Sequence, residues 1–286
     1  MSAALTVLAT GPATTIQDRG RPGLAHIGVG GSGAVDRASL AMANRLVGND
    51  EHAAGLEVLL GGLAVVLSTG RYVAVTGAAG PVHLDDRPVR QPAQFFVPPG
   101  SVLSLGPPVA GLRTYVAVAG GLDVAPVLGS TSHDTLSGLG PEPLAAGTVL
   151  ALGEPGPVPA VAVELAHSKL PATHADVRIR WGPRDHLFDP ADRTRLVRTG
   201  WVVTDRSDRV GVRLAGPPLR IGSVMLPSEG MVRGAIQVPP AGEPIVFLAD
   251  HPPTGGYPVI GVVTEADLGI VGQARPGTRL MFRPIR

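Results

Sequence analysis

The amino-acid sequence predicts a mainly β protein with a few short helices. Of its 286 residues 39 are glycine and 29 proline, yet 44% are apolar, which favours short strands joined by tight turns over a disordered chain. From Leu56 to Gly153, apolar-biased runs of roughly four to eight residues are bounded by Gly, Pro or Asp. A glycine turn followed by apolar alternation recurs at 99–105, 146–152 and 276–282, so we expect sheet in both halves of the chain.

Three stretches carry the signals of short helices. Residues 36–48 begin with an N-cap aspartate, repeat apolar residues on one face and end in glycine. Residues 189–198 begin with Asp-Pro, and Thr264 with Asp267 predicts a capped third helix. A proline-rich stretch at 154–176 is the best boundary candidate. We therefore place an N-terminal β domain at 1–160 and a C-terminal β domain at 171–286.

The loop between two predicted strands, Pro244–Leu248 and Val259–Thr264, is the stretch around which we expect the molecule to be organised. It contains Gly255-Gly256, which permits positive φ and close approach, and prolines that stiffen it. A rigid loop with Asp, Thr and Tyr is suited to positioning binding or catalytic groups. The alternative from composition alone is a plain hairpin.

Bulk composition excludes several classes of function. A formal net charge of +1 gives no electrostatic footprint for nucleic acid or a membrane surface. No cysteine is present, which excludes disulfides, thiolate nucleophiles and Cys-ligated zinc, and no two histidines have a metal-ligand spacing. Without a signal pattern or a membrane-length apolar run, the expected location is the cytoplasm.

Polar residues collect at five turn-like places, which we expect to line a cleft between the domains. They are Gln17, Asp18 and Arg19; Ser32, Asp36 and Arg37; Ser207, Asp208 and Arg209; Ser228, Glu229 and Gly230; and Gln237, Asp250, Thr254 and Tyr257. Two arginines flank Asp18, so we expect its carboxylate to keep its charge. Structural ion pairs, a Ser228–His251–Asp250 triad and phosphate cradles at the Gly-Gly pairs stay open as alternatives, although the nucleophile-elbow and phosphate-loop motifs are missing.

Several blocks, in order, resemble the biotin-dependent carboxyltransferase family, whose members are also called the C-type subunit of 5-oxoprolinase, allophanate hydrolase subunit 2 or antagonist of the kinase-A inhibitor. The blocks are TTIQDRGRPG, SGAVDRASLAMANRLVGN, LEVLLGG, YVAVAGGLDVAPVLGS, SDRVGVRLAGPPL, SEGMVRGAIQVPPAGEPIVFLAD and TGGYPVIGVV. The chain departs from the family pattern at Pro252, where a glutamine is common, and at Thr131, where an arginine is usual. These departures put the identity of the substrate in doubt and leave the fold expectation unchanged.

The resemblance implies two cyclophilin-like β-barrel domains and a B-type partner subunit, related to allophanate hydrolase subunit 1. With a third, A-type subunit, the pair is similar to an ATP-dependent 5-oxoprolinase, a hydrolase that opens a lactam to glutamate. Two further functions stay open: carboxyl transfer to a urea-like substrate, and regulation of the B-type subunit by binding. Lys169 is the only lysine and no biotin-acceptor motif is present, so we expect no biotin on this chain.

On that basis we assign candidate roles to individual residues. Asp250 and Asp18 are the candidate catalytic residues, because two carboxylates near an amide suit proton transfer or orientation. We expect Arg19 and Arg209 to neutralise anionic groups. The remaining predicted substrate contacts are Gln17, Ser32, Asp36, Glu229, Gln237, Thr254, Gly255, Gly256 and Tyr257.

Overall fold

The structure is a computed structural model that describes residues 3–89, 91, 93–157, 170–221 and 226–285. The chain divides into two compact units. The first comprises residues 1–21, 36–134 and 138–170, and the second 22–35, 135–137 and 171–286. Two short segments that precede the predicted boundary in sequence therefore belong to the second unit. Much of the predicted linker lies outside the described residues, and the division at 160 and 171 stays a prediction.

The first unit consists of antiparallel strands and one helix. Its elements are β1 (Ala4–Thr10), β2 (Ala13–Gln17), α1 (Arg37–Leu46), β3 (Gly55–Leu59), β4 (Leu63–Leu67), β5 (Arg71–Ala79), β6 (Val82–Leu84), β7 (Arg87–Val89), β8 (Ala93–Val97), β9 (Val102–Leu105), β10 (Ala110–Val118), β11 (Leu122–Asp123) and β12 (Val149–Leu152). They form a seven-stranded sheet of order β11-β12-β1-β4-β9-β6-β7 and a five-stranded sheet of order β2-β3-β10-β5-β8.

This first unit differs from the barrel that the family resemblance implies. Among the described residues both of its sheets are open, because their outer strands do not pair with each other. The ends of the larger sheet explain this: β11 has two residues, and Pro88 in β7 has no N–H for a further neighbour. The apolar faces of the strands form one core, which includes Leu103 and Leu105 of β9 and Leu150 and Leu152 of β12, as the alternation predicts.

The helix of the first unit begins as the sequence predicts. Asp36 is its N-cap, and its carboxylate accepts the Ser39 N–H at 3.1 Å. The helix packs Met42 and Ala43 against alanines of β5 and β10, where small side chains allow close approach. Helix α1 is therefore a local feature that its own residues specify.

The second unit is a closed barrel with two helices. Its elements are the 3-10 turn Ala25–Ile27, β13 (His174–Trp181), the 3-10 turn Asp185–Leu187, α2 (Pro190–Arg198), β14 (Trp201–Val203), β15 (Gly211–Ala215), β16 (Glu229–Gly230), β17 (Ala235–Gln237), β18 (Ile245–Phe247), β19 (Thr254–Gly255), β20 (Val259–Val263), α3 (Glu265–Gly272) and β21 (Arg279–Pro284). The barrel order is β13-β20-β17-β18-β15-β14-β21, closed by the parallel pair β13–β21. In the described part of the chain, no helix has the length and apolar character to cross a membrane.

Two details of the second unit differ from expectation. Strands β18 and β20 each pair with β17, so the loop between them is not a plain hairpin. Helix α3 begins after Thr264 as predicted, but the Thr264 hydroxyl makes no cap bond. Asp267 instead accepts bonds from the backbone and guanidinium of Arg178 on β13, at 2.7–2.9 Å. The acidic residue fastens the helix to the barrel rather than capping it.

Candidate functional site

Asp250 is the centre of a buried polar cluster in the second unit, which also contains Ser32, Thr135 and Arg209. Arg209 donates from Nε to Oδ2 at 2.8 Å and from Nη2 to Oδ1 at 3.0 Å, which makes a bidentate ion pair. Ser32 donates its hydroxyl to Oδ1 at 2.8 Å. Thr135 donates its N–H at 2.9 Å and its hydroxyl at 2.7 Å to Oδ2. The structure thus joins three predicted site residues and adds Thr135, which the sequence did not single out.

These donors determine what Asp250 can do chemically. Burial raises its pKa, but the charge and hydrogen bonds of Arg209 and the donors of Thr135 outweigh burial and hold the pKa below its ordinary value. A carboxylate has about four lone-pair sites, and here it already accepts bonds from three residues. Asp250 is suited to orienting the segments around it and poorly suited to giving up a proton at neutral pH.

The alternative of a catalytic triad of Ser228, His251 and Asp250 stays a prediction. A ring nitrogen of His251 lies 2.8 Å from the carbonyl oxygen of Pro252, and the Asp250 oxygens are bonded to other residues. Ser228 is exposed. A nucleophile and base with that geometry would need the carboxylate to orient the imidazole.

Ser32 adopts a backbone conformation that is uncommon for a residue with a side chain. Its φ is 51°, in the left-handed region, and it is completely buried. Arg209 Nη2 donates to the carbonyl oxygen of the next residue, Gly33, at 2.8 Å. The ion pair therefore holds both the side chain of Ser32 and the backbone beside it, and so offsets the conformational cost.

The predicted loop at 254–257 is tied down at both ends. Strand β19 pairs with β16, placing Gly255 opposite Glu229 and Thr254 opposite Gly230. Gln237, on β17, donates from Nε2 to the carbonyl oxygen of Tyr257 at 3.1 Å. The structure thus brings together all of these predicted residues through backbone and amide contacts.

Two glycines of this loop have different surroundings. A Cβ on Gly255 would lie 2.7 Å from Gln237 Nε2 and 3.1 Å from the Met231 sulfur, whereas one on Gly256 would meet nothing within 4 Å. Gly255 is therefore required for the amide to pack beneath the loop. Tyr257 is 48% exposed, so its ring is available at the surface.

Glu229 has a partner that the sequence did not suggest. Arg184, which precedes the second 3-10 turn, donates from Nε to Glu229 at 3.0 Å and pairs with it through Nη2 as well. This hydrogen bond lowers the pKa of Glu229. The ion pair fastens β16, and with it one side of the 254–257 loop.

Asp18 is the centre of a second polar cluster, which lies in the first unit. Its Oδ1 accepts from the hydroxyls of Ser130 and Ser132 at 2.7 and 2.6 Å and from the Gly20 N–H at 2.6 Å. Its Oδ2 accepts the N–H and hydroxyl of Thr131 at 2.7 and 3.1 Å. Burial raises the pKa of Asp18, but the bonds from Ser132, Ser130, Thr131 and Gly20 outweigh burial and lower it.

The prediction that Asp18 stays ionised therefore has a different physical cause from the flanking arginines. The donors around it are hydroxyl and backbone groups of the chain. Arg19 is exposed and contacts the His52 ring, with 3.2 Å between Nη1 and Nε2. Arg19 does not contact Asp18 in the described structure, and its predicted role with anions stays a prediction.

Arg21, only 2% exposed, is a functional candidate that the predicted residue set omits. Its Nη2 donates to the carbonyl oxygen of Ser132 at 2.5 Å, and its Nε to that of Val127 at 3.4 Å. Its Nη1 is buried and has no hydrogen-bond partner in the part of the chain that the structure describes. Within the described residues no carboxylate pairs with Arg21. A buried charge without a counter-charge is costly, which makes Arg21 a candidate for binding an anion.

Gln17, a predicted substrate contact, is completely buried in the same unit. Its Nε2 donates to the hydroxyl of Thr15 at 3.0 Å and to the carbonyl oxygen of His133 at 2.9 Å. Its Oε1 is buried and has no hydrogen-bond partner among residues 3–89, 91, 93–157, 170–221 and 226–285. The Gln17 amide and the Arg21 guanidinium therefore bond the carbonyl oxygens of two consecutive residues, His133 and Ser132.

Asp36 has a structural role in the contacts that surround it. Besides capping α1, its backbone N–H donates to the hydroxyl of Tyr115 at 2.8 Å, and that hydroxyl donates to Glu57 at 2.8 Å. Burial, followed by the charges of Glu57 and Asp36, raises the pKa of Tyr115 well above its ordinary value. The contact of Asp36 with substrate stays a prediction, as does the cleft between the two domains.

The other Gly-Gly pairs serve close packing of the backbone. A Cβ on Gly62 would lie 2.6 Å from Gly11 Cα, and one on Gly120 would lie 2.9 Å from the carbonyl carbon of Gly153. At Gly62 and Gly120 backbone therefore fills the space that a side chain would take, whereas a Cβ on Gly121 would meet nothing within 4 Å. A phosphate cradle at these pairs stays a prediction.

Residues 27–284 match the family described as "Carboxyltransferase domain, subdomain A and B". The chain is 38% identical to the C-type subunit of 5-oxoprolinase from Escherichia coli strain K12, over 97% of this chain and 90% of the relative. The chain belongs to the carboxyltransferase domain family. The Asp250 cluster lies within the matched residues, whereas Gln17, Asp18 and Arg21 precede them.

Two solved structures share the fold of this family member. The crystal structure of TTHA0988 in space group P212121 matches with a TM-score of 0.89 and 36% identity, over 99% of this chain and 56% of that one. The K. lactis urea amidolyase structure matches with a TM-score of 0.90 and 31% identity, over all of this chain and 19% of that one. This carboxyltransferase domain chain thus spans about half of TTHA0988 and about a fifth of the amidolyase.

Proposed function

We propose that this chain is the C-type subunit of a heteromeric, ATP-dependent 5-oxoprolinase that hydrolyses the lactam to glutamate and is active only in the complex. The observation that carries the proposal is the 38% identity to the C-type 5-oxoprolinase subunit of Escherichia coli, over nearly the whole length of both chains. Its partners in this proposal are a B-type subunit, related to allophanate hydrolase subunit 1, and an A-type subunit. The complex works in the cytoplasm, and the closed barrel keeps the cyclophilin-like arrangement that the family resemblance implies.

Recognition of the lactam is assigned to two of the buried polar atoms of the first unit that have no hydrogen-bond partner among the described residues, Gln17 Oε1 and Arg21 Nη1. 5-Oxoproline offers a lactam N–H and a carboxylate. In the proposal Gln17 Oε1 accepts the N–H, and Arg21 Nη1 donates to the carboxylate. Each pairing would satisfy a buried group that otherwise costs about 1–3 kcal/mol when left alone. Because both atoms are buried, the segment at 127–132 that bonds Arg21 must move to admit the substrate.

The two aspartates orient this machinery in the proposal. Asp18 holds residues 130–132, the segment that also bonds Arg21, and Asp250 holds Ser32 and Thr135. Their lowered pKa values suit ionised acceptors and oppose a role as general acids at neutral pH.

The remaining predicted contacts act through the loop of the second unit in the proposal. Gln237 and the loop Thr254–Tyr257 present amide and backbone groups, while Glu229 keeps the loop in place through Arg184. The assignment of these residues as substrate contacts rests on their convergence in one loop.

The ATP site is assigned to the complex rather than to the described residues of this chain. ATP supplies activation of the lactam oxygen as a phosphate, which makes the ring carbon electrophilic. The Gly-Gly pairs at 61–62 and 120–121 lack the lysine-bearing phosphate-loop motif, which supports a nucleotide site elsewhere in the complex. The side chains of this chain bind and orient the lactam and its carboxylate.

The test is reconstitution. The chain is coexpressed with its B-type and A-type partners, and glutamate formed from 5-oxoproline is measured with and without ATP. The proposal expects activity that requires both ATP and this chain. A well-folded complex without activity, or full activity of the other subunits alone, would contradict it.

Carboxyl transfer to a urea-like substrate is the second candidate, favoured by the family description and by the 31% identity to urea amidolyase across the whole chain. It requires a biotin carrier on another chain, since this one has a single lysine and no biotin-acceptor motif. Carboxybiotin-dependent transfer to urea separates the two functions. The third prediction, a regulator of the B-type subunit, would show tight binding without turnover in any combination.

A further inference from the structure

A tight turn at Val127–Ser130 places a leucine in a backbone conformation that leucine disfavours. The N–H of Val127 donates to the carbonyl oxygen of Ser130 at 2.8 Å, and the reverse bond is 3.3 Å. Leu128 has a φ of 52° and Gly129 a φ of 80°. Positive φ at both central positions is the pattern of a type I′ turn, in which Asn, Asp or Gly is favoured at the place that Leu128 takes. The turn is therefore strained at an apolar side chain.

The same turn lies in a continuous exposed apolar run. Every residue from Ala125 to Gly129 is exposed, and Val127 and Leu128 are 38% and 49% exposed. The run contains no charged or polar side chain. Single exposed apolar residues are ordinary on protein surfaces, but several in succession mark a surface that another molecule covers. Strain at a functional surface persists when the strained group has a task there.

The end of the turn is bonded to the Asp18 cluster. Ser130 donates its hydroxyl to Asp18 at 2.7 Å, and the Val127 carbonyl accepts from Arg21. A molecule that covers Val127 and Leu128 would therefore rest on a turn that bonds Arg21, a proposed recognition group, through the Val127 carbonyl.

We propose that the 125–129 run is the surface on which this chain docks its B-type subunit, with Leu128 inserted into an apolar pocket of that partner. This inference rests on the proposed function. The occupant is a different protein rather than a second copy, because the proposed function gives this chain a B-type partner; in support, the two solved relatives, of which it covers 56% and 19%, carry further chain besides this domain. The uncharged run fits a pocket that excludes water, of the kind that dominates binding energy in protein interfaces.

The test uses three variants of the full chain, each measured for thermal stability alone and for affinity with the purified B-type subunit by calorimetry. Leu128→Asn relieves the strain, so the midpoint of thermal unfolding of the isolated chain rises by roughly 2–4 °C while the Kd for the partner weakens about tenfold or more. Leu128→Met keeps the apolar group and the affinity. Leu60→Asn is the matched control, since Leu60 also has positive φ (56°) before a glycine but stands alone as an exposed leucine. It leaves affinity unchanged.

The outcomes separate this inference from the function on which it rests. If the wild-type chain forms no complex with the B-type subunit, the heteromeric assignment and the docking surface fail together. If the complex forms and Leu128→Asn binds as tightly as wild type, the docking surface alone is overturned. Light scattering of the isolated chain tests whether a second copy occupies the run. A dimer that Leu128→Asn converts to a monomer would assign the run to self-association and overturn the proposal.

Discussion

Arg209 and Asp250 form a buried bidentate ion pair, with Nε–Oδ2 and Nη2–Oδ1 distances of 2.8 and 3.0 Å. The pair fixes two other stretches of the second unit, because Ser32 and Thr135 donate to the carboxylate and the carbonyl oxygen of Gly33, next to Ser32, accepts from the guanidinium. The pair contributes to stability mainly because each charge would be costly to bury without the other, and less through the net attraction between them.

Removal of the guanidinium should expose that cost. Arg209→Met leaves the Asp250 carboxylate buried without a counter-charge and should lower the free energy of unfolding by about 3–5 kcal/mol. Arg209→Lys keeps a charge but loses the fork geometry, so its loss should be smaller. Urea denaturation at neutral pH measures both.

Arg206→Met is the matched control for this pair. Arg206 contacts Glu243 at 3.5 Å, and the two side chains are 66% and 44% exposed. An exposed pair contributes about 0–1 kcal/mol, so this variant should remain close to wild type. Equal losses from Arg206→Met and Arg209→Met would show that burial of the Asp250 pair has no special importance.

Stability should fall in acid because both central aspartates have a lowered folded-state pKa. For such a group the stabilisation is fully present above the unfolded pKa, about 3.9 for Asp, and is lost as pH falls through the folded value. The free energy of unfolding should therefore decline below roughly pH 4–5.

Replacement of Asp18 isolates its share of that acid dependence. Asp18→Asn should reduce the slope of the free energy of unfolding against pH in acid. The matched control is Asp123→Asn, at an exposed aspartate, and it should keep the wild-type slope. The measurement is urea unfolding at a series of pH values from 3 to 7 (about one unit apart). An unchanged slope for Asp18→Asn would mean that its hydroxyl and N–H donors do not favour the ionised form.

The two glycines of the 254–257 loop should respond differently to alanine. In Gly255→Ala the new Cβ would lie 2.7 Å from Gln237 Nε2, so the amide must move and its bond to the Tyr257 carbonyl is lost. The reconstituted complex should show a KM for 5-oxoproline that is raised about tenfold. Gly256→Ala, which meets nothing within 4 Å, should behave as wild type. Matching kinetics for the two variants would remove the loop from the proposed site.

How far the sequence predicts these features depends on the distance between interacting residues along the chain. Helix α1 follows from its own cap, since Asp36 and Ser39 are neighbours on one turn. The alternation at β9 and β12 likewise predicts which side chains are buried. Local rules therefore give the elements and the mainly β class.

The residues that meet in the polar clusters are far apart along the chain, so local sequence rules cannot predict their contacts. Ser32 bonds an aspartate 218 positions away, and Thr135 bonds the same group across 115 positions. The QDRGR segment shows the consequence. The sequence does not distinguish Arg19 from Arg21. Only the fold, which places the Ser132 carbonyl beside Arg21, shows that Arg21 is the buried one.

That contrast provides a test of substrate recognition within one segment. If Arg21 Nη1 binds the carboxylate of 5-oxoproline, Arg21→Met should raise the KM for 5-oxoproline at least about tenfold and leave that for 2-pyrrolidinone, which lacks the carboxylate, nearly unchanged. Arg19→Met, on an exposed residue that contacts His52, should change neither. Arg21→Lys keeps the charge and should lie between wild type and Arg21→Met. Equal effects of Arg21→Met on both substrates would instead assign Arg21 to holding the Val127 and Ser132 carbonyls, with no part in reading the substrate charge.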